Sequence, residues 1–255
     1  MEVIFLGTGT SHGIPVIGCD CPVCRSDDPK NKRTRSSVYI IKGALRIIID
    51  MTPEFRIQML RENLCSADAV LITHTHADHL HGLDDIRPLT KEKPIPVYST
   101  TPVIDTIYSR FDYIFKATQV GGGKPHIELH REDAPFTIMD PDGISTTVIP
   151  IPMKHGQMDT TGYRIDDFAY LTDCNYIPES SFQLLKGIKV AVIDGLRFRK
   201  HTTHFTIEEA IETARKIKAE TTYLIHMCHD IDHDKVSEQL PDGIKLSYDG
   251  LRINF

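Results

Sequence analysis

Short apolar runs recur along the chain and predict β-strands. The first run is Met1 to Leu6, and several later runs are apolar at consecutive positions, which is typical of strands buried on both faces. The later runs are Val38 to Ile41, Leu45 to Ile49, Ala69 to Ile72, Pro96 to Tyr98, Thr146 to Pro150, Phe168 to Leu171, Val190 to Ile193 and Tyr223 to Ile225.

Apolar residues at helical spacing occupy four of the intervals between these runs. The four segments are Pro53 to Asn63, Thr101 to Phe111, Pro178 to Leu185 and Thr206 to Ala219. Two of these helices are expected to open with proline in the first turn, and Thr206 is a candidate N-cap. Strands that alternate with helices in this way predict a layered α/β sandwich.

The chain has 255 residues and a formal net charge of -6 at pH 7. This length suits a single domain over residues 1-255, and no linker, repeat or low-complexity segment divides it. The negative charge disfavours binding of long nucleic acids, which relies on clustered Lys and Arg, and so favours a small substrate. Because no apolar segment is long enough to cross a bilayer and the amino terminus lacks a basic leader, we expect a cytoplasmic protein without membrane contact.

Four potential metal ligands follow the predicted strand Ala69 to Ile72. They are His74, His76, Asp78 and His79. Imidazole and carboxylate suit Zn, Mn or Fe, and the spacing lets the first two side chains face one ion while the last two face another. Three further candidates stand just after other predicted strands: His155, Asp173 and His226. Loops anchored at strand ends can bring such distant residues to one edge of the sheets.

The His-x-His-x-Asp-His pattern resembles the signature of the metallo-β-lactamase superfamily, which implies a four-layer αββα sandwich and two active-site metal ions, Zn or Mn. By this resemblance one ion would be held by His74, His76 and His155. The other would be held by Asp78, His79 and His226, with Asp173 shared between the two. Asp50, after the strand Leu45 to Ile49, is similar to the acidic residue that steadies the histidine loop in this family.

Two such ions would lower the pKa of a bridging water far below its bulk value and neutralise charge on a phosphoryl oxygen. A protein nucleophile is then unnecessary, and the sequence offers no convincing Ser/His/Asp arrangement. The segment Gly7 to Ser11 lacks both the nucleophile-elbow pattern and the Gly-Lys-Ser/Thr ending of a phosphate loop. We interpret it as a tight turn beside the site, with Ser11 as a candidate substrate contact.

A second motif, His201 to Ala210, leads into the predicted helix at Thr206. It resembles the histidine-plus-helix motif of a phosphodiesterase branch that includes transfer-RNA 3′-processing endonucleases and small cyclic phosphodiesterases. The resemblance implies that His204 contacts the scissile phosphate and acts as a general acid for the leaving oxygen. Asp78 is a further candidate catalytic residue, and His201 a candidate substrate contact.

A third motif is the cluster of Cys19, Cys21 and Cys24. Three thiolates at this spacing can occupy three corners of a tetrahedral zinc site, which requires a fourth ligand. A resemblance to the phosphoribosyl 1,2-cyclic phosphate phosphodiesterases of phosphonate breakdown implies a structural zinc with His229 in that role. The alternatives for the fourth ligand are Cys228, His233 and Asp20. The remaining cysteines, Cys65 and Cys174, are expected to be buried.

The motifs together favour a metal-dependent phosphodiesterase that hydrolyses a small cyclic or nucleotide-like phosphodiester to a phosphomonoester. One alternative is 3′ processing of transfer RNA, but Gln119 to Pro135 carries mixed charges and offers no basic RNA-binding arm. Another is a low-turnover accessory protein similar to the pyrroloquinoline quinone biosynthesis proteins, because fold alone does not fix activity. The family resemblance also implies a homodimer.

Overall fold

The computed structural model describes residues 1–117 and 123–255, and its strands form two seven-stranded sheets. The first sheet contains β1 (Glu2–Gly7), β2 (Ser37–Lys42), β3 (Leu45–Ile49), β4 (Ala69–Leu71), β5 (Ile95–Ser99), β6 (Ile127–Arg131) and β14 (Arg252–Asn254). The second contains β7 (Phe136–Met139), β8 (Ser145–His155), β9 (Met158–Ile165), β10 (Phe168–Leu171), β11 (Val190–Asp194), β12 (Thr221–Ile225) and β13 (Ile244–Leu246).

Each sheet is mixed, with an antiparallel half and a parallel half. The first sheet has the order β14-β1-β2-β3-β4-β5-β6, and pairing becomes parallel from β3 onward to β6. The second has the order β13-β12-β11-β10-β9-β8-β7, with parallel pairing from β10 to β13. Because β8 and β10 are both antiparallel to β9, they run in the same direction as β11 and β12.

The helices are α1 (Pro22–Arg25), α2 (Phe55–Arg61), α3 (Ala77–Leu80), α4 (Thr101–Arg110), α5 (Asp112–Phe115), α6 (Glu179–Leu184), α7 (Ile207–Ile217) and α8 (His233–Ser237), with 3-10 segments at Pro29–Asn31 and Leu83–Thr90. The larger helices lie on the outer faces of the sheets, α2 and α4 on the first sheet and α6 and α7 on the second. The capping box of α7, in which Thr206 and Glu209 exchange side-chain and backbone hydrogen bonds, satisfies N–H groups that the first turn leaves unpaired.

Three apolar layers hold these elements together and define an αββα sandwich. In β1, Val3 and Phe5 enter the cluster between the sheets, whereas Ile4 and Leu6 enter the cluster under α2 and α4. The third cluster packs α6 and α7 on the outer face of the second sheet. Strands buried on both faces need apolar residues at consecutive positions, which is the pattern seen in the sequence.

All nine strands predicted from apolar runs are confirmed, but β8 is longer than predicted, and five strands were missed: β6, β7, β9, β13 and β14. β8 continues to His155 through Pro150 and Pro152. Its pairing with β7 ends at Val148, so the edge of β8 at the two prolines has no neighbouring strand that needs an N–H donor. β9 was missed because its sequence, MDTTGYRI, is largely polar and lacks an apolar run.

Two details of the helix prediction are wrong, and so is the expected burial of one cysteine. Pro53 lies before the N-cap of α2 and Pro178 is itself the N-cap of α6, so neither is in a first turn. Cys65 is exposed, whereas Cys174 is buried as expected.

No helix in residues 1–117 or 123–255 has the length and apolar character needed to cross a membrane. The segment Gln119 to Pro135 was predicted to lack a basic RNA-binding arm. Residues 119–122 of this segment lie outside the described residues.

Candidate active site

The two sheets place the candidate ligands at one edge because parallel strands end on the same side. Asp50 directly follows β3, and the loop that begins with His74 follows β4. In the second sheet, the polar residues at the corresponding strand ends are His155 at the end of β8, Asp173 after β10, Asp194 at the end of β11 and His226 after β12.

The side chains form two ligand groups that share one carboxylate. In each group the ligand atoms lie within 4.8 Å of one another. The first group is His74, His76, His155 and Asp173. The second is Asp78, His79, Asp173 and His226. The structure therefore brings together the two sets that the sequence predicted, with Asp173 common to both.

Hydrogen bonds on one ring nitrogen aim the other nitrogen into the site. The Nδ1 atom of His79 lies 2.7 Å from Asp50 Oδ2, and Asp50 also accepts from the backbone N–H of Thr73 at 2.8 Å. His155 Nδ1 donates to the carbonyl oxygen of Thr203 at 2.7 Å. These partners fix the ring orientations, as carboxylates and carbonyls commonly do for metal-binding histidines.

The centre of the site contains buried nitrogen atoms that lack hydrogen-bond partners among the described residues. They are the Nε2 atoms of His74, His79 and His226. His79 Nε2 and His226 Nε2 each lie 3.2 Å from Asp173 Oδ2. Unpaired polar atoms are costly when buried, so their convergence on shared carboxylates fits divalent cations with nitrogen and oxygen ligands.

The electrostatics agree with a site built for positive charge. Burial opposes ionisation of Asp173, but His226 and His79 lower the pKa of this carboxyl well below its usual range. Burial lowers the pKa of His74 well below the usual histidine value, which keeps the imidazole neutral. For His79, burial lowers the pKa, but Asp173, Asp78 and Asp50 outweigh this effect and raise the pKa well above the usual value. A metal ion bound by His79 would therefore displace a proton and take over the neutralisation of these carboxylates.

Two of the residues that build the site have left-handed backbone conformations. Asp50 has φ 65° and His226 has φ 64°. Such angles are uncommon for residues other than glycine and are typically maintained at functional positions. Each residue immediately follows a strand, so the turn directs its side chain toward the strand edge instead of continuing the sheet.

His204 faces the second ligand group and is paired with a buried aspartate. Its ring stacks on His226 with centroids 4.6 Å apart, and its Nδ1 lies 2.7 Å from Asp194 Oδ2. Burial lowers the pKa of His204, but Asp194 outweighs this effect and raises the pKa to about 9. Sequence reasoning missed Asp194, although its position at the end of an apolar strand is the signal that identified the other ligands.

Replacement of Asp194 by asparagine is expected to lower kcat about tenfold to a hundredfold, because the protonated His204 loses its counter-charge and orienting partner. Since the carboxylate raises the pKa of His204, the alkaline limit of activity should also move to lower pH. The rate measured as a function of pH tests both effects. Asp167→Asn, which alters an exposed carboxylate paired with Lys189, is the control. An unchanged rate and pH profile would contradict the role of Asp194.

The two candidate substrate contacts lie beside His204. The ring of His201 is 5.1 Å from that of His204, and its Nδ1 accepts from the backbone N–H of Thr203. Ser11 is exposed at the rim of a cavity that also contains His201 and His204. The backbone N–H of Thr10 donates to the carbonyl oxygen of Met227, and the N–H of Met227 donates to the carbonyl oxygen of Thr8. The turn before Ser11 therefore lies against the loop after β12, next to the site.

The cysteine cluster meets a histidine from the loop that follows β12. The Sγ atoms of Cys19, Cys21 and Cys24 lie 3.2, 3.6 and 3.8 Å from Nδ1 of His229. These separations are close to the ~3.5 Å expected between ligands of a tetrahedral zinc ion. None of the three alternatives belongs to this group. Cys228 Sγ accepts from the N–H of Asp230, Asp20 pairs with Arg25, and the ring of His233 lies against that of Tyr248.

The thiol pKa values also suit a cation at the cysteine cluster. Burial raises the pKa of Cys21, but the backbone N–H of Cys24 and the neighbouring thiols lower it to about 7. Burial and the neighbouring thiols raise the pKa of Cys24 to about 11. A cation between them would offset the repulsion that keeps the second thiol protonated.

Replacement of Cys21 by alanine is expected to lower the melting temperature by about 10 °C, because a structural metal contributes several kcal/mol to folding. The matched control is Cys65→Ala, which removes an exposed thiol far from the cluster in sequence. Melting curves and zinc content measure the effect. A Cys21 variant that melts like the wild type and keeps all its zinc would contradict a structural metal site.

The fold and site agree with a match to a known family. The model of the beta-lactamase superfamily domain matches residues 45–227, so the chain belongs to the beta-lactamase superfamily. Within that superfamily, the crystal structure of a diphosphatase from the PhnP family superposes with a TM-score of 0.91 at 38% identity, covering 100% of this chain and 97% of that chain. The predicted four-layer αββα sandwich is thereby confirmed.

Other relatives differ in length or are more distant. Zn(2+)-bound PqqB from Methylobacterium extorquens superposes with a TM-score of 0.80 at 19% identity over 100% of both chains, a likeness of fold. A protein of Porphyromonas gingivalis named octanoyltransferase is 42% identical over 98% of this chain but only 51% of its own length. Coenzyme PQQ synthesis protein B from Methylobacterium radiotolerans is 29% identical over 60% of this chain and 53% of that protein. The chain thus spans about half the length of these two curated relatives.

Proposed function

We propose that the protein is a dinuclear metal-dependent phosphodiesterase that hydrolyses a small cyclic or nucleotide-like phosphodiester, such as phosphoribosyl 1,2-cyclic phosphate, to a phosphomonoester. The observation that carries the proposal is the pair of ligand groups joined at Asp173, with His204 beside them. The PhnP-family relative, which is named a diphosphatase, supports phosphoryl chemistry in particular.

Seven side chains would hold the ions: His74, His76, Asp78, His79, His155, Asp173 and His226. Bound there, two divalent ions would lower the pKa of a shared water and neutralise charge on the phosphoryl oxygens. We propose Zn or Mn for this pair, because both accept imidazole and carboxylate ligands, and a structural Zn for the cysteine cluster. Asp78 would have a second role in catalysis, because its Oδ2 lies 3.3 Å from His79 Nε2 and 3.6 Å from His226 Nε2, where a carboxylate could accept a hydrogen bond from the attacking water.

Hydrolysis adds water across the P–O bond, so the oxygen that leaves phosphorus must gain a proton. His204 is placed to supply it, because Asp194 holds its Nδ1 and stabilises the protonated ring. The other nitrogen, Nε2, is then the donor. His201 and Ser11 contact the substrate on the same side, where both line the cavity next to His204.

The direct test is release of p-nitrophenol from bis(p-nitrophenyl) phosphate by the purified protein supplied with Mn or Zn. We expect turnover that a chelator removes and that added metal restores. Ribose 1,2-cyclic phosphate and a precursor transfer RNA, offered separately, distinguish a small-molecule enzyme from an RNA-processing one. Absence of metal-dependent hydrolysis of every phosphodiester offered would overturn the proposal.

Acyl transfer is the second candidate because a relative of about twice this length is named octanoyltransferase. The site disfavours a covalent thiol mechanism here. Cys174, which adjoins Asp173, is fully buried, and burial raises the pKa of its thiol well above the usual value. A buried neutral thiol is a poor nucleophile. Incubation with an octanoylated carrier decides the matter, and octanoyl transfer by this chain without phosphodiesterase activity would favour the second candidate.

A further inference from the structure

The chain from Asp173 to Tyr176, the β10–α6 segment, bridges the end of β8 and the loop from His201 to Phe205, the His204 loop. Its first residue is the carboxylate common to both ligand groups. The end of β8 supplies His155, a member of the first group, and the His204 loop supplies the proposed proton donor. The contacts of this segment therefore bear on the distance between the proton donor and the proposed ions.

On one side, the β10–α6 segment holds both neighbours of His155. The backbone N–H of Asn175 donates to the carbonyl oxygen of Lys154 at 2.9 Å, and the N–H of Lys154 donates to that of Tyr176 at 2.9 Å. The N–H of Gly156 donates to Asn175 Oδ1 at 2.7 Å. The residues before and after His155 are therefore both tied to this segment.

On the other side, the same segment holds the chain on both sides of His204. Asn175 Nδ2 donates to the carbonyl oxygen of Thr202 at 3.1 Å. The backbone N–H of Phe205 donates to the carbonyl oxygen of Cys174 at 3.0 Å. His204 thus stands between two anchored positions, and one of the two anchors is the side chain of Asn175.

The side-chain amide of Asn175 matches its two partners. Its oxygen accepts from an N–H group and its NH2 group donates to a carbonyl, so a carboxylate in its place could make the first bond but not the second. The junction is also tightly packed: Gly156 has φ 65°, and a methyl group added there would lie 2.8 Å from Thr203 Cγ2. Because packed groups transmit displacements to one another, the end of β8 and the His204 loop hold a fixed separation only while this junction is intact.

We propose that Asn175 is a positioning residue that holds the His204 loop against the end of β8 and so places the proton donor at the proposed metal pair. This inference rests on the proposed function for the role of His204. A general acid acts only within hydrogen-bond reach of the oxygen that it protonates. A displacement of about 1 Å can therefore reduce the rate about a hundredfold.

The test compares two leaving groups in the Asn175→Ala variant. For ribose 1,2-cyclic phosphate, whose alkoxide needs a proton to leave, kcat should fall about tenfold to a hundredfold. For bis(p-nitrophenyl) phosphate, whose phenolate leaves without one, kcat should fall by about threefold or less. The metal content should match that of the wild type, because Asn175 belongs to neither ligand group. A loss of equal size with both substrates, or a loss of bound metal, would contradict the positioning role.

Asn175→Asp tests the bond to the His204 loop separately. The carboxylate keeps an acceptor for the N–H of Gly156 but has no donor for the carbonyl oxygen of Thr202, so we expect the same dependence on the leaving group as for Asn175→Ala. The matched control is Asn254→Ala, which removes an exposed asparagine in β14, outside both ligand groups, and should change neither rate. Wild-type rates in the Asn175→Asp variant would show that the bond to Thr202 does not place His204, and the proposal would fail.

Crystal structures of the metal-loaded wild type and the metal-loaded Asn175→Ala variant provide a readout that does not need turnover. In the variant, the ring of His204 should be displaced by about 1 Å relative to Asp173, while His155 and the bound metal ions stay in place. If no phosphodiester is hydrolysed but this displacement is present, the proposed function fails and the positioning role stands. An unmoved His204 in the variant would overturn the positioning role, whatever the outcome of the activity assays.

Discussion

Replacement of His76 by alanine should reduce phosphodiester hydrolysis by about a thousandfold or more, because loss of one ligand removes several kcal/mol of electrostatic stabilisation from the reaction. His76 belongs to the first ligand group but, unlike the other members of that group, it is exposed. The fold should therefore survive the change. Turnover and metal content, measured on the same preparation, should fall together while the melting temperature stays near that of the apoprotein of the wild type.

The matched control for this prediction is His81→Ala. His81 lies five positions further along the chain, is also exposed, and belongs to neither ligand group. Its replacement should leave the rate and the metal content unchanged. A His76 variant that retains full turnover would show that the first ligand group is not part of the reaction centre.

Replacement of His204 by alanine should slow hydrolysis about a hundredfold to ten-thousandfold, with the active-site metal content unchanged. The rate should fall because the proton donor is lost. The metal content should not change because His204 stacks on the proposed ligand His226 but makes its own hydrogen bond to Asp194. The loss should be large for an alkoxide leaving group and small for p-nitrophenolate, which needs little protonation. Rates at saturating substrate for the two kinds of leaving group measure the difference.

His201→Ala is the control for the His204 variant. The two rings are 5.1 Å apart, but His201 lacks a carboxylate partner comparable to Asp194 among the described residues. Its replacement should affect KM more than kcat. If the His204 variant lost the same factor with both leaving groups, or lost its metal ions, then proton donation would not be the role of this residue.

The fold was largely predictable because most of its strands are buried on both faces and therefore read as apolar runs. β9 could not be found in this way: Asp159 to Gly162 are polar or small, and the strand forms because it closes a hairpin with β8. The predicted run for β8 ended at Pro150. Pairing on one side only, which is a tertiary property, allows the strand to continue to His155.

The candidate site was predictable to the extent that its residues occur in recognisable motifs. The His74 to His79 loop and the cysteine cluster have local spacings that are informative by themselves. Asp194 has no such neighbours, and its role depends on contact with His204, ten residues further along. The family resemblance implied His229 as the fourth ligand of the cysteine cluster, but residue spacing alone left the adjacent Cys228 as an alternative. The structure separates the two by their side-chain contacts.

The ends of buried strands explain which site residues the sequence could predict and which it could not. Strand ends at one edge of a sheet are rigid positions for ligands, so a polar residue directly after a buried strand is a strong candidate. Exposed loops give no equivalent signal. Arg197 and Arg199 stand in such a loop, so the sequence does not indicate that both line the cavity at His204.

We propose that seven side chains from both sheets hold two cations that share Asp173. Anomalous diffraction from crystals of the metal-loaded protein, recorded at the absorption edge of the supplied metal, locates these cations. We expect two peaks within about 4 Å of each other at Asp173, together with a separate zinc peak between the cysteines and His229. A single peak, or none, at Asp173 after metal has been supplied in excess would contradict it.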